Sequence, residues 1–344
     1  MRFFDHQDAA RGETRRLLLA FAISVVVAVA AVHGALVVAW YLLAVVVSWV
    51  LPLWLPFPAF FLSVNVGVSL LLVLGGWWVE TSQLRAGGLR LAERVGAREA
   101  RPAVSHDEQR FCNIVEELCI AGGVERPAPM VLTRTDAINA FAAGWDGSDA
   151  VLAITQGALE HLTREELQGL VAHELSHLRE GDTRLNMRLA GMVFGLELVY
   201  NFGETIRERG GPGAWFGAAV MAAGWVGWIT GRMLKAAVSR QREFLADARA
   251  VQWTRSRDGL GGVLRKVMAQ RRDAVLDYER GSPLDHPALQ HMLLVESTGR
   301  SKLAQRLDSH PSLEERVRRI YGRHMGPLEM KPDTTAAPTP FTFG

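Results

Sequence analysis

Two histidines four residues apart, with a glutamate beside the first, carry the strongest chemical signal in this chain. His173, Glu174 and His177 form an H-E-x-x-H pattern inside an apolar-periodic run that predicts a helix. Positions i and i+4 stack on one helix face about 6 Å apart, so both imidazoles can reach one ion. Zn²⁺ binds imidazole nitrogens at about 2.0–2.1 Å, and Glu174 could then take a proton from a water molecule at the metal. The pattern predicts metal-assisted hydrolysis; the simpler alternative is a surface helix with two solvated histidines.

A catalytic zinc site usually has three protein ligands and one open position, so a third ligand is needed. The longer pattern that places a third histidine six residues after the pentad fails, because Thr183 stands there. Glu243 and Asp247 share a predicted helix face at i and i+4. We expect Glu243 to bind the metal and Asp247 to accept a hydrogen bond from a ligand histidine's second ring nitrogen. The alternative is a solvated face on which both carboxylates pair with Arg240, Arg242 or Arg249.

The helix that carries the two histidines has clear end signals. Thr163 is a predicted N-cap, and Glu166 three residues later completes a capping box. Gly181 follows the last turn, where a glycine commonly ends a helix. The sequence therefore predicts a helix of about four to five turns that places the pentad in its second half.

Two long uncharged stretches predict membrane helices. Residues 17–55 and 59–79 contain no Asp, Glu, Lys or Arg, and each exceeds the ~20 residues that cross a bilayer core. Arginines cluster before the first stretch and after the second, whereas the proline-rich connection between them has no charge. By the positive-inside rule, the N-terminus and the chain after residue 79 are cytoplasmic. We expect a multi-pass protein of the cell's inner (plasma) membrane.

A second apolar hairpin, at about residues 189–231, is harder to place. Its first half is short for a span and contains Glu197, whereas its second half is longer and uncharged. A ligand at Glu243 must lie on the same side of the membrane as His177, so the chain between them crosses twice or not at all. We expect two crossings and four spans in total; the alternative is a buried or interfacial hairpin.

Charge and cysteine content exclude two classes of site. The formal net charge of +2 gives no electrostatic footprint for nucleic-acid binding. Cys112 and Cys119 are the only cysteines in the sequence, and no C-x-x-C pair exists, which excludes a cysteine zinc site.

Several motifs in a fixed order resemble the HtpX-like membrane zinc metalloproteases, which are relatives of the CAAX prenyl proteases. The resemblance runs from about residue 79 to 321. Its motifs are N-A-F-A-A-G from Asn139, E-L-Q-G leading into the H-E-x-x-H pentad, G-D at 181–182, S-R-Q-R-E-F-L-A-D ending at Asp247, and H-P-S-L-E-E-R from His310. The resemblance implies a mainly α (α+β) integral membrane protein, with transmembrane hairpins and a zincin-type helical metalloprotease domain that carries a small edge sheet.

The implied organisation has four parts. A cytoplasmic segment (1–16) precedes a transmembrane hairpin (17–79), and a zinc metalloprotease domain (80–325) is interrupted by the second apolar hairpin. The tail from 326 to 344 is rich in Thr and Pro and is expected to be disordered.

The resemblance also implies roles for individual residues. One Zn²⁺ per chain would be held by His173, His177 and Glu243, with Glu174 as the general base of peptide hydrolysis. His310 or Arg316 could approach the oxyanion, although a helix cap explains His310 equally well. An extended substrate would add a strand along a segment in which Phe141 could equally be a core residue. That segment consists of Asn139, Ala140, Phe141 and Ala142.

The predicted function is a membrane-bound zinc endopeptidase that acts on membrane or misfolded polypeptides in protein quality control. Its partners are then polypeptide substrates and the lipid bilayer. One alternative is a prenyl-type protease that trims a defined C-terminus, but four spans are too few to enclose a chamber. Another is a catalytically silent membrane scaffold, which the loss of Glu174 or of a ligand would indicate; all of these residues are present.

Overall fold

The structure is a computed structural model that describes residues 3–51, 56–211, 213–273, 293–294 and 311–329. Its described helices are α1 (Phe3–Val50), α2 (Phe61–Leu84), α3 (Gly88–Arg94), α4 (His106–Gly122), α5 (Gln156–His161), α6 (Arg164–Glu180), α7 (Asp182–Glu208), α8 (Gly213–Thr254), α9 (Arg257–Asp273) and α10 (Leu313–Tyr321). The strands are β1 (Arg98–Glu99), β2 (Ala128–Leu132), β3 (Ala140–Ala143) and β4 (Val151–Thr155).

The chain divides into two compact units. Among the described residues, the first unit contains those up to residue 84 and those in 188–238, and the second contains 85–187, 239–273, 293–294 and 311–329. Helices α7 and α8 therefore each contribute one end to the first unit and the other end to the second. His310, the candidate oxyanion residue, and residues 330–344 of the predicted tail lie outside the described part of the chain.

In the first unit, α1 and α2 carry the two stretches predicted to enter the membrane. Leu18–Trp49 and Phe61–Leu84, with mean hydropathies of 2.5 and 1.8, are long and apolar enough to cross a bilayer. Large apolar side chains such as Trp49 and Leu71 point outward along these helices, as expected for lipid-facing surfaces. Helices α7 and α8, with 27 and 42 residues, are long enough to span, but no described stretch of either is as apolar as α1 and α2, so the four-span topology stays a prediction.

Glycines bring α7 close to its neighbours within the first unit. A Cβ on Gly195 would collide with the backbone of α2 at Val73, and one on Gly227 would collide with the carbonyl of Leu196. Such close approach at small residues is the usual mode of helix packing in membranes. Glu197, the charged residue of the predicted third span, is buried and lies beside Gly231 of α8.

The second unit is built around a four-stranded sheet with the order β1-β2-β4-β3. Strand β2 pairs in parallel with β4, and β1 and β3 pair antiparallel at the two edges. Every residue of β4 is buried, as are the last three residues of β2. Strand β3, which the resemblance implied as a substrate edge, lies at the edge of this sheet.

The core of the second unit packs helices α4, α6 and α9 against the sheet. Phe111 of α4, Leu170 of α6 and Leu264 of α9 are fully buried in one cluster. Helix α6 crosses α9 closely at Gly169, where a Cβ would collide with the backbone of Leu260. This crossing anchors the helix that carries the pentad.

The ends of α6 agree with the sequence signals. The Thr163 hydroxyl accepts a hydrogen bond from the Glu166 amide, and the Glu166 carboxylate accepts one of 2.8 Å from the Thr163 amide. Gly181 ends the helix with a φ of 75°, which glycine adopts without strain. The predicted capping box and C-terminal glycine are therefore confirmed.

The described residues continue to Glu329, past the predicted start of the tail at residue 326. The Leu328 amide donates to the Arg265 carbonyl, and the Arg265 guanidinium donates to the Gly326 carbonyl. These bonds attach residues 326–328 to α9.

Candidate metal centre

Helix α6 places two imidazoles next to each other in a buried pocket. His173 is fully buried and His177 is 9% exposed. Their ring centroids are 4.8 Å apart with an interplanar angle of 85°, and their Nε2 atoms are 3.3 Å apart. As predicted from the pentad, the spacing of about one helical turn places both imidazoles on one face and close enough to share an ion. The alternative of two solvated histidines is wrong, because both side chains are buried.

Helix α8 brings a carboxylate to the same point. Glu243 Oε2 lies 3.6 Å from His173 Nε2, and Oε1 lies 3.5 Å from His177 Nε2. With bonds of about 2.0–2.1 Å and tetrahedral angles, ligand atoms around one zinc ion are about 3.3–3.4 Å apart. The three side chains therefore fit a tetrahedral zinc ion almost without rearrangement. They form a three-residue group able to hold a metal ion.

Each imidazole has a carboxylate at its other ring nitrogen. His177 Nδ1 lies 3.0 Å from Asp182 Oδ2. His173 Nδ1 lies 3.1 Å from Asp247 Oδ1, a contact that is close enough for an ion pair but off the line of a straight hydrogen bond. A proton on each Nδ1 leaves both Nε2 lone pairs facing one another and Glu243. These electron-rich atoms repel each other unless a cation lies among them.

The pKa values of both histidines are raised, because the surrounding carboxylates favour a positive charge in this pocket. Burial lowers the pKa of the His177 imidazole, but Asp182 and Glu243 outweigh it and raise the pKa to about 10. For His173, burial again lowers the pKa, while Asp247 and Glu243 raise it to a net value above its usual range. An anionic pocket of this kind suits a divalent cation, which competes with protons for the same nitrogens.

Arg316 of α10 is fully buried and connects the carboxylates on α8. Its Nε and Nη2 donate to the two Asp247 oxygens over 2.9 and 2.6 Å, and its Nη1 lies 3.1 Å from Glu243 Oε2. Burial raises the pKa of the Asp247 carboxyl, but the Arg316 charge outweighs it and keeps the pKa below its usual range. Nη1 also donates to the Leu294 carbonyl over 3.0 Å. Arg316 Nη2 also lies 3.5 Å from His173 Nε2. Arg316 thus holds Asp247 ionised and in place.

The alternative of a solvated face for Glu243 and Asp247 is wrong, because both carboxylates are buried. The arginines considered for that face have other partners among the described residues. Arg242 bonds to Asp182, and Arg249 bonds to Glu180. The side chain of Arg240 lies outside the described set.

Asp182 had no role assigned from the sequence. It is the first residue of α7 and is 5% exposed, directly after the Gly181 turn that ends α6. The G-D pair could have predicted this contact, because an aspartate directly after the glycine that ends the pentad helix can fold back toward His177 in the last turn.

Glu174 is buried on the same helix as the two imidazoles. Burial raises the pKa of its carboxyl, and although both histidines lower it, the net value stays above the usual range. A carboxylate with a raised pKa is a stronger base, closer to the optimum for proton transfer near neutral pH.

The predicted substrate edge has an occupant along part of its length. Phe141 of β3 forms an antiparallel bridge with Leu293, and the Leu294 amide donates to the Ala140 carbonyl over 3.0 Å. The Phe141 side chain is fully buried, so the core alternative holds for this side chain while its backbone lies at the sheet edge. Asn139 donates its amide to the Thr155 hydroxyl, which ties the start of β3 to β4.

Comparison with known proteins agrees with this site. Peptidase family M48 matches residues 105–324. A relative named Protease HtpX homolog from Streptococcus uberis is 27% identical over 279 residues, which are 76% of this chain and 88% of the relative. The homolog from Dictyoglomus turgidum is 33% identical over 62% of this chain and 68% of the relative. The homolog from Caldanaerobacter subterraneus subsp. tengcongensis is 32% identical over 63% and 74%, respectively.

No solved structure is detectably similar to the chain. The M48 match covers the unbroken run of sequence that contains His173, Glu174, His177, Glu243 and Arg316. With the buried three-residue metal group and the apolar N-terminal helices, this match means that the chain belongs to peptidase family M48 and is an HtpX-like, membrane-bound metalloendopeptidase.

Proposed function

We propose that His173, His177 and Glu243 hold one Zn²⁺ ion and that Glu174 is the general base of peptide hydrolysis. The observation that carries the proposal is the near-tetrahedral spacing of the three ligand atoms, at 3.3, 3.5 and 3.6 Å, in a buried pocket. Zinc bound there would supply a Lewis acid that lowers the pKa of the attacking water towards ~7.

Glu174 moves the proton in this scheme. Its carboxylate takes a proton from the water as the water oxygen bonds to the peptide carbonyl carbon. The same proton then passes to the leaving nitrogen as the carbon–nitrogen bond breaks, which restores the carboxylate. The raised pKa of Glu174 supports both steps, because the group must accept and release a proton near neutral pH.

Substrate binding follows from the position of β3. We infer that an extended polypeptide pairs with the outer edge of β3 through main-chain hydrogen bonds. Leu293 and Leu294, which bond to that edge, must then give way along part of its length. Backbone pairing requires an unfolded segment and reads few side chains. This supports a role in the removal of misfolded or membrane polypeptides.

We further propose that the chain crosses the inner membrane four times with the metal centre in the cytoplasm. Support comes from the two apolar helices, from the arginines beside them, and from the close glycine contacts of α7 with α2 and α8. The burial of Glu197 within that packing supports a third span, since a carboxylate facing lipid would be costly.

A substrate panel tests the proposal against the prenyl-type alternative. Purified full-length protein in detergent is given one protein in folded and in reduced, alkylated form, and a farnesylated C-terminal peptide. We expect zinc-dependent cleavage of the unfolded form at several sites, little cleavage of the folded form, and no preference for the farnesylated peptide. Selective removal of the last residues of that peptide would establish the alternative instead. No cleavage of any substrate by zinc-loaded protein would support the silent scaffold.

A further inference from the structure

Two similar chains of contacts support the two imidazoles. His173 faces Asp247, which is held by Arg316 of α10. His177 faces Asp182, which is held by Arg242 of α8. The resemblance and the i,i+4 spacing pointed to Asp247, but neither assigns a role to Asp182 or Arg242.

We propose that Asp182 is a positioning residue that fixes the ring orientation and tautomer of His177 for the metal, and that Arg242 acts through Asp182. The inference rests on the proposed ligand set. In this arrangement, the turn at Gly181 directs the chain so that Asp182 reaches the Nδ1 atom of His177.

The geometry of the Asp182 carboxylate carries the argument. Oδ2 lies 3.0 Å from His177 Nδ1, and Oδ1 accepts a bond from Arg242 Nη1. Because both oxygens are engaged and the residue is buried, the carboxylate plane cannot turn freely. It holds the proton on Nδ1 and leaves Nε2 as the lone-pair donor toward the metal. Partners of this kind typically contribute 10–100-fold to metal affinity.

A competing explanation is that Asp182 only links helices. It begins α7, follows α6 and bonds to α8, so its removal could simply loosen their packing. The chain offers a matched control for this explanation. Glu180, two residues before Asp182 at the end of α6, pairs with Arg249 of α8, which ties the neighbouring end of α6 to the same helix α8 with no imidazole contact among the described residues.

The test measures the zinc dissociation constant of purified full-length protein by competition with a chromogenic chelator, together with the melting temperature of the metal-free form. We expect Asp182→Ala to weaken zinc binding by about 10–100-fold. Asp182→Asn should lose less, because its amide oxygen can still accept the Nδ1 proton. Glu180→Gln and Arg249→Gln should keep the affinity of the original protein, even where they lower the melting temperature.

Arg242 provides a second, independent readout. Arg242→Gln should weaken zinc binding in the original protein and have no further effect when combined with Asp182→Ala, because its influence passes through that carboxylate. Equal losses in both backgrounds would show that Arg242 acts by another route. If Asp182→Ala does not fold, Asp182→Asn and Arg242→Gln carry the test, since both keep a polar group at the site.

The His177→Ala variant distinguishes failure of the positioning role of Asp182 from failure of the proposed ligand set. If Asp182→Ala and Glu180→Gln lower the melting temperature alike while zinc affinity stays unchanged, Asp182 only links helices. If His177→Ala itself keeps the original affinity, the proposed ligand set is wrong. If His177→Ala loses zinc and Asp182→Ala does not, only the positioning role is refuted.

Discussion

Replacing Arg316 with methionine should destabilise the second unit strongly, because it leaves buried carboxylates without their cation. Arg316 is fully buried, donates two hydrogen bonds to Asp247, and lies 3.1 Å from Glu243. Methionine preserves much of the volume of the side chain, so the loss is mainly electrostatic.

The magnitude follows from the burial of the pair. Removing one partner of a buried ion pair typically costs ~3–5 kcal/mol, because the remaining charge is desolvated and unpaired. For domains of ~150–250 residues, 1 kcal/mol shifts the melting temperature by ~2–4 °C. We therefore expect metal-free Arg316→Met to melt about 6–20 °C below the original protein.

The pH dependence gives the sign of the effect. In the original protein, Arg316 keeps the pKa of Asp247 below its unfolded value, so this stabilisation is present above about pH 4 and lost as pH falls through the lower folded pKa. Removing Arg316 takes away the largest influence that lowers the pKa of Asp247, so this pKa rises relative to the original protein even though His173 still lowers it. The variant then gains relative stability on acidification, and the difference in melting temperature should narrow.

The assay is thermal unfolding of metal-free, full-length protein in detergent, followed by limited proteolysis within the second unit at several pH values. The matched control is Arg318→Gln on the same helix, whose partner Glu315 is at the surface. We expect little change in its melting temperature. If Arg316→Met melts within a degree or two of the control at neutral pH, the buried bridge does not stabilise the site as argued.

Three further outcomes are expected. Asp247→Ala should weaken zinc binding by ~10–100-fold in a chelator competition, and an unchanged affinity would remove its role as partner of His173. A cysteine at Arg209, in a cysteine-free background in membrane vesicles, should react only from the face opposite the cytoplasm; reaction only from the cytoplasmic face would leave two spans. Leu294→Pro removes the amide that bonds to Ala140 and should raise kcat/KM for an unfolded substrate, whereas a fall together with lower thermal stability would show that residues 293–294 are a permanent strand.

The parts of the site that sequence could predict are those that depend on local geometry. Helical periodicity places His173 and His177 on one face, and the capping box and Gly181 define the helix between them. The shared face of Glu243 and Asp247 is predicted for the same reason, since residues four apart on a helix point the same way.

The parts that could not be predicted depend on contacts between distant segments. The resemblance suggested that Arg316 could approach the oxyanion, but Arg316 is 69 residues from Asp247 and nothing in the spacing of the sequence predicts their buried ion pair. The pairing of Leu293 with Phe141 joins residues 152 positions apart, so the occupied sheet edge was also not visible. Asp182 was missed for a different reason. It is close in sequence, but its direction depends on the left-handed turn at Gly181.

The central claim, that a zinc ion and Glu174 together hydrolyse peptide bonds, is tested most directly by metal content and hydrolysis measured on the same samples. Purified original protein and Glu174→Gln are analysed for zinc and given unfolded casein. We predict about one zinc per chain in both proteins. We also predict a ~10²–10⁴-fold lower rate of hydrolysis in the variant, because the amide cannot accept the proton. Hydrolysis at a similar rate by Glu174→Gln, or by zinc-free original protein, would contradict this account.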